Sequence, residues 1–189
     1  TVYFGSLDHS LYAVRLRDGS KLWEFKAEGA IASTPTVSQG RVYVGSFDRK
    51  FYAIDAQTGR NVFWRYTSGN WYWSGAVLDQ TTIYAPSLDG NLYALDAYTG
   101  SLRWSFDTTE PILSAPVLVS GRPVVASDSG KISVLSAQGI EEWSYDTGAQ
   151  IRAPLAHDGT VVYLIDMDRN IRALDVSRGT QLWETNTKK

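Results

Sequence analysis

Five tryptophans, Trp23, Trp64, Trp104, Trp143 and Trp183, follow one another at steps of 41, 40, 39 and 40 residues. Spacing this regular along a whole 189-residue chain means one supersecondary unit copied in tandem. That restricts the fold to architectures built by stacking copies. Four short segments recur around each tryptophan. The first is Ile31 to Val37, Trp71 to Val77, Ile112 to Leu118 and Gln150 to Ala156. The second is Val2 to Ser6, Val42 to Ser46, Ile83 to Ser87, Val124 to Ser127 and Val162 to Asp166. The third is Leu11 to Val14, Phe51 to Ile54, Leu92 to Leu95, Ile132 to Leu135 and Ile171 to Leu174, and the fourth holds the tryptophan. All are rich in β-branched and aromatic residues and bounded by Gly, Asp, Asn or Pro, as strands are. No window shows a sustained helical stripe.

The hairpin between second and third segments carries Asp8, Asp48, Asp89 and Asp168, with Ser129 in copy four. The turn between third and fourth ends in Gly19, Gly59, Gly100, Gly139 or Gly179. A glycine in every copy predicts a left-handed backbone that a Cβ would penalise. Four antiparallel strands repeated radially make the blade of a β-propeller, with the tryptophan as wedge between blades. The predicted fold is therefore all-β, with about five repeats over 1–30, 31–70, 71–111, 112–149 and 150–189. Only four copies of the first segment occur, which predicts an incomplete ring. Its open end faces would be apolar and prone to pair with another chain. Copy four has a turn one residue shorter, and copy two has one extra residue, read as a β-bulge.

Charge and composition exclude several functions. The formal charge is −2 and no basic run is present, which argues against nucleic acid. No apolar stretch is long enough for a transmembrane helix. Cysteine is absent, which removes disulfides, thiol catalysis and Cys-ligated metals and fits an oxidising compartment. The first residue is Thr1, so removal of a leader or a larger N-terminal part is expected.

Asp55-Ala-Gln-Thr58-Gly59 before Trp64, and Asp96-Ala-Tyr-Thr99-Gly100 before Trp104, resemble the tryptophan-docking repeat of the quinoprotein (PQQ-like) β-propellers. The likeness covers essentially the whole chain. It implies that the tryptophan packs between blades while Asp and Thr tie the turn. Copies one, four and five depart at the Asp or Thr places, with Arg15 and Asp18, Ser136, and Arg178. The family's enzymes use pyrroloquinoline quinone with Ca²⁺, an Asp base, a stacking Trp and often a disulfide between adjacent cysteines. No position here is assigned as base or calcium ligand, and that disulfide is impossible. The resemblance also covers non-catalytic members, among them a periplasmic outer-membrane assembly lipoprotein and sensor domains of bacterial kinases.

The candidate sites are few. The recurring aspartates read as turn residues, since this turn selects Asp. His9 and His157 fall in predicted turns or loops with no partner at ligand or triad spacing. Asp166, Asp168 and Asn170 echo a calcium loop but lack its Gly and Glu. Trp71, Tyr72 and Trp73 replace the Ile-x-Ser pattern of the first segment, and Arg152 takes the serine's place two copies later. An indole and a guanidinium together suit a planar, acidic ligand, and large side chains filling the channel are the alternative. The leading functional reading is a non-catalytic scaffold, with no metal, that binds a protein partner or extracellular ligand in the periplasm or cell envelope. The alternatives are part of a PQQ- and Ca²⁺-dependent dehydrogenase, with Trp73 stacking on the quinone and Arg152 pairing with its carboxylates, and a self-assembling structural module.

Overall fold

The computed structural model describes residues 1–187. They form five antiparallel sheets in chain order, with no helix. Blade 1 holds β1 (Val2–Gly5), β2 (Ser10–Val14) and β3 (Lys21–Lys26). Blade 2 holds β4 (Thr36–Ser38), β5 (Arg41–Gly45), β6 (Lys50–Asp55) and β7 (Val62–Thr67). Blade 3 holds β8 (Val77–Asp79), β9 (Thr82–Pro86), β10 (Asn91–Asp96) and β11 (Leu102–Asp107). Blade 4 holds β12 (Val117–Val119), β13 (Arg122–Ala126), β14 (Lys131–Leu135) and β15 (Glu141–Asp146). Blade 5 holds β16 (Ala156–His157), β17 (Val161–Ile165), β18 (Asn170–Asp175) and β19 (Thr180–Asn186).

The middle strands are buried on both faces. Every residue of β9 is buried, because its blade is stacked on both sides. Outer strands alternate instead; in β7 only Trp64 is fully buried. The core is divided into four clusters, one per junction. Leu11, Trp23 and Ile54 fill the first. Phe51, Trp64, Tyr72 and Leu95 fill the second. Ile112 and Leu135 belong to the third, Ile151 and Leu174 to the fourth.

One dock holds each junction. Trp23 Nε1 donates to the Ala56 carbonyl at 3.1 Å, and Trp64 Nε1 to Ala97 at 3.0 Å. Trp104 does the same to Ala137 at 2.9 Å, and Trp143 to Val176 at 2.7 Å. The indole lies flat on the glycine of the next blade's turn. A Cβ on Gly59 would sit 2.4 Å from the Trp23 ring, and one on Gly100 2.5 Å from Trp64. All five turn glycines have φ between +65° and +80°. Glycine is thus required twice, for backbone conformation and for ring contact. Burying an indole removes on the order of 200 Å² from water, an upper limit of about 5 kcal/mol at ~25 cal/mol/Å². The arc is open: Trp183 is 45% exposed and nothing lies within 4 Å of the Cβ position of Gly19.

The structure differs from three expectations. The innermost strand is not Ile31 to Val37 and its equivalents but the short β4, β8, β12 and β16 near their C-terminal ends. The first half of each segment, with the residue before it, is a link whose backbone bonds to the turns of two blades, as when Ile31 N–H donates to Ser6 and Ala30 C=O accepts from Phe47. His157 accordingly ends a strand rather than lying in a loop. The bulge is also not special to copy two. A register shift recurs in all five blades, at Ala13/Val14, Ala53/Ile54, Ala94/Leu95, Val134/Leu135 and Ala173/Leu174. Copy two's extra residue lies in the turn, where Asp55 N–H reaches Asn61 while Asp96 N–H reaches Ser101. The shorter turn of copy four appears as Gly139 N–H bonding Ser136, three residues back, where Gly100 bonds Asp96, four back.

Candidate functional site

An antiparallel meander fixes which turns share a face. Links from an outer strand to the next blade's inner strand lie on the same side as the hairpins between second and third strands. The glycine turns lie on the opposite side. The first side, here the upper face, therefore gathers Trp71 to Trp73, Arg152 and the hairpin aspartates.

Those aspartates are structural. Asp8, Asp48 and Asp89 each accept a backbone N–H two residues on, at 3.0, 2.9 and 3.0 Å. Each also accepts a tyrosine hydroxyl, from Tyr12, Tyr52 and Tyr93. Asp48 and Asp89 further accept from Glu28 N–H and Gly69 N–H on the preceding link. Burial pushes the Asp89 carboxyl up, but these donors outweigh it and hold it below its ordinary value. Burial and the Asp89 carboxylate together raise the Tyr93 phenol. In copy five the role passes from Asp168 to Asp166, which accepts Asn170 N–H at 2.9 Å and pairs with the buried Arg172. Asp166, Asp168 and Asn170 thus build a turn and an ion pair. His9 is exposed at φ +77° in its hairpin.

The backbone resets the register of Trp71 to Trp73. Tyr72 N–H donates to Ser46, as Ile31 does to Ser6 and Ile112 to Ser87. So Tyr72, not Trp71, replaces the buried isoleucine; its ring is fully buried against Phe51 and belongs to the core, not to an open site. Burial pushes its phenol far up, opposed more weakly by the nearby Ser68 hydroxyl, and its own hydroxyl makes no hydrogen bond. Ser74 takes the place of Ser33. Ser33 bonds both the N–H and C=O of Gly45, but Pro86 stands at the equivalent point with no N–H, and Ser74 Oγ is buried without a partner. A legible signal was available: Ser68, Thr108 and Thr147 each stand four residues before Tyr72, Ile112 and Ile151.

Trp71 and Trp73 point outward, each 45% exposed. Both stack on Phe47, with centroids 4.7 and 5.5 Å away and planes within 9° and 16°. Phe47 was missed in the sequence; its signal is an apolar residue before the hairpin Asp, shared with Leu7 and Leu88. Arg152 does not join this cluster. It is paired with Asp128 at 2.9 Å, which raises its already high pKa, and Gln150 also donates to Asp128. Phe47 with Trp71 and Trp73, and Asp128 with Gln150 and Arg152, are the same three positions in different junctions. In the junction between them the positions read Leu88, Pro111 and Leu113.

A quinone with calcium is not fitted by these residues. The indole and guanidinium offered for it sit in separate junctions, and the guanidinium is held by Asp128. Among the described residues no group of three His, Cys, Asp or Glu is arranged to hold a metal ion. Among the described residues no helix is long and apolar enough to cross a membrane.

A family profile described as "Outer membrane protein assembly factor BamB" matches residues 1–70 and 61–189. The chain belongs to this PQQ-like repeat family. It is 32% identical over 167 residues to outer membrane protein assembly factor BamB of Yersinia pestis, matching 79% of this chain and 42% of that protein. It is 31% identical over 171 residues to the serine/threonine-protein kinase AfsK of Streptomyces coelicolor, matching 87% of this chain and 20% of the kinase. The chain thus spans less than half of either relative. The crystal structure of BamB from Moraxella catarrhalis superposes with a TM-score of 0.84 at 17% identity, over 97% of this chain and 57% of that one. At that identity the likeness establishes the propeller fold alone.

Proposed function

We propose that this chain is a non-catalytic propeller scaffold of the bacterial cell envelope that binds a protein partner in outer-membrane protein assembly. The observation that carries the reading is the rigid aromatic cluster of Phe47, Trp71 and Trp73 on the upper face. Tryptophan is over-represented among the residues that dominate protein interfaces, and half-exposed indoles on a fixed frame are suited to that role. Support for the process comes from the family profile and the Yersinia pestis relative, both described as outer membrane protein assembly factor BamB. Absence of cysteine fits an oxidising compartment. The test is capture of a defined partner from envelope extract by wild-type chain and by Trp71→Ala/Trp73→Ala, beside an assay for alcohol or sugar oxidation with quinone and Ca²⁺. Capture by the wild type supports the reading; oxidation without capture contradicts it.

One observation favours a second reading. Trp183 and the Gly19 turn are the two unmatched halves of the dock that joins every other junction. Two copies would therefore pair head to tail through them. Light scattering decides this: mass rising with concentration supports it, and a monomer throughout excludes it.

A further inference from the structure

We propose that the cluster of Phe47, Trp71 and Trp73 binds a proline-rich segment held as a polyproline II helix. This rests on the protein-binding reading above and names the chemistry of the segment bound.

The cluster is built before any ligand arrives. Both indoles stack on Phe47. The chain between them is pinned, with Trp71 C=O accepting Leu88 N–H at 2.8 Å and Tyr72 N–H donating to Ser46 at 3.3 Å. The Tyr72 ring is locked in the core between blades 2 and 3. Little side-chain freedom remains to be lost on binding.

Its hydrogen-bonding capacity is one-sided. The indole N–H groups of Trp23, Trp64, Trp104 and Trp143 all donate to carbonyls. Those of Trp71 and Trp73 make no hydrogen bond among the described residues and are open donors. Acceptors nearby are engaged. Asp48 takes Lys50 N–H, Tyr52 hydroxyl and Glu28 N–H. Asp89 takes Asn91 N–H, Tyr93 hydroxyl and Gly69 N–H. Asn70 Oδ1 takes Trp71 N–H. A sugar brings hydroxyl donors that need such acceptors. Proline brings carbonyls and no N–H, together with a compact apolar pyrrolidine ring whose CH groups pack on an indole face. In polyproline II those carbonyls stand free of internal hydrogen bonds, and aromatic grooves read such segments elsewhere by the same means.

The experiment titrates decaproline into the ¹⁵N-labelled chain and follows the indole N–H signals of its seven tryptophans. Trp71 and Trp73 signals should move while the other five stay. Trp73→Ala should weaken binding at least about tenfold. Trp73→Phe keeps a ring face but no donor and should fall between. Should the alanine variant fail to fold, Trp71→Phe and Trp73→Phe carry the comparison. No shift at Trp71 and Trp73 up to ~10 mM peptide, or an equal response to a Gly-Ser peptide or a β-linked hexasaccharide, overturns the inference. A partner held equally by wild type and Trp71→Ala/Trp73→Ala overturns it while leaving the scaffold reading intact. Decaproline bound at these indoles with no partner captured upholds the site and sinks the scaffold reading.

Discussion

Trp73 and Arg152 hold the same position in two different junctions of the arc. Each stands two residues after the carbonyl that accepts the next hairpin's N–H, Trp71 to Leu88 in one case and Gln150 to Met167 in the other. Each rests on the hairpin residue of the blade before it, Phe47 for Trp73 and Asp128 for Arg152. One scaffold position therefore presents an aromatic surface at one junction and a neutralised ion pair at another. The repeat fixes geometry, and the side chain placed on it fixes chemistry.

The blade dock should dominate stability. Trp64 is 8% exposed and bonded to the next blade, whereas Trp183 is 45% exposed. Trp64→Ala should cost about 3–5 kcal/mol, and Trp183→Ala about 1 kcal/mol or less. Urea unfolding of the two variants measures the difference.

The glycine turns separate backbone strain from ring contact. Gly100 has φ +74° and a Cβ there would meet the Trp64 ring at 2.5 Å; Gly19 has φ +70° and open space. Gly19→Ala should cost about 1–2 kcal/mol for the left-handed conformation alone. Gly100→Ala adds about 1–3 kcal/mol of overpacking. Equal losses in thermal denaturation would show that the ring does not rest on the glycine.

Asp96 gives the fold an acid-sensitive turn. Arg103, at 2.7 Å, together with the Thr99 and Tyr98 donors holds its carboxyl down at about 2. The unfolded carboxyl titrates near ~3.9. Ionised Asp96 therefore favours the fold above about pH 4, and that contribution disappears as pH falls through about 2. Urea midpoints across this range should fall less steeply in Arg103→Met than in wild type.

Tyr72→Phe removes a buried hydroxyl that has no partner. Loss of an unsatisfied polar group should be neutral or stabilise by up to about 1 kcal/mol. A drop in melting temperature would show that the hydroxyl is bonded in solution.

The tryptophan and glycine ladders were legible because each copy must meet the same two demands, an indole between sheets and a backbone turned left-handed beneath it. The innermost strand was not. Ile31 to Pro35 alternates as a strand would, yet the backbone at its start, Ala30 and Ile31, bonds to hairpins of two blades, a choice made by stacking that no local pattern records. Trp71-Tyr72-Trp73 hid its register because three adjacent aromatics satisfy either alignment, and only the Tyr72 to Ser46 bond decides it. Phe47 was invisible as a site residue because its partners lie in the next link, 24 and 26 residues on. The pairing of Arg152 was invisible because Asp128, 24 residues before it, meets it from another turn.

On the proposed reading, the aromatic junction, not the ionic junction or the glycine-turn face, meets the partner. Photo-crosslinking in the cell envelope tests this directly, with the reactive side chain placed at position 73, at 152, or at 60 on the opposite face. A protein adduct is expected from position 73 and little from 152 or 60. Adducts from 60 alone, or equal yields from all three, would contradict it.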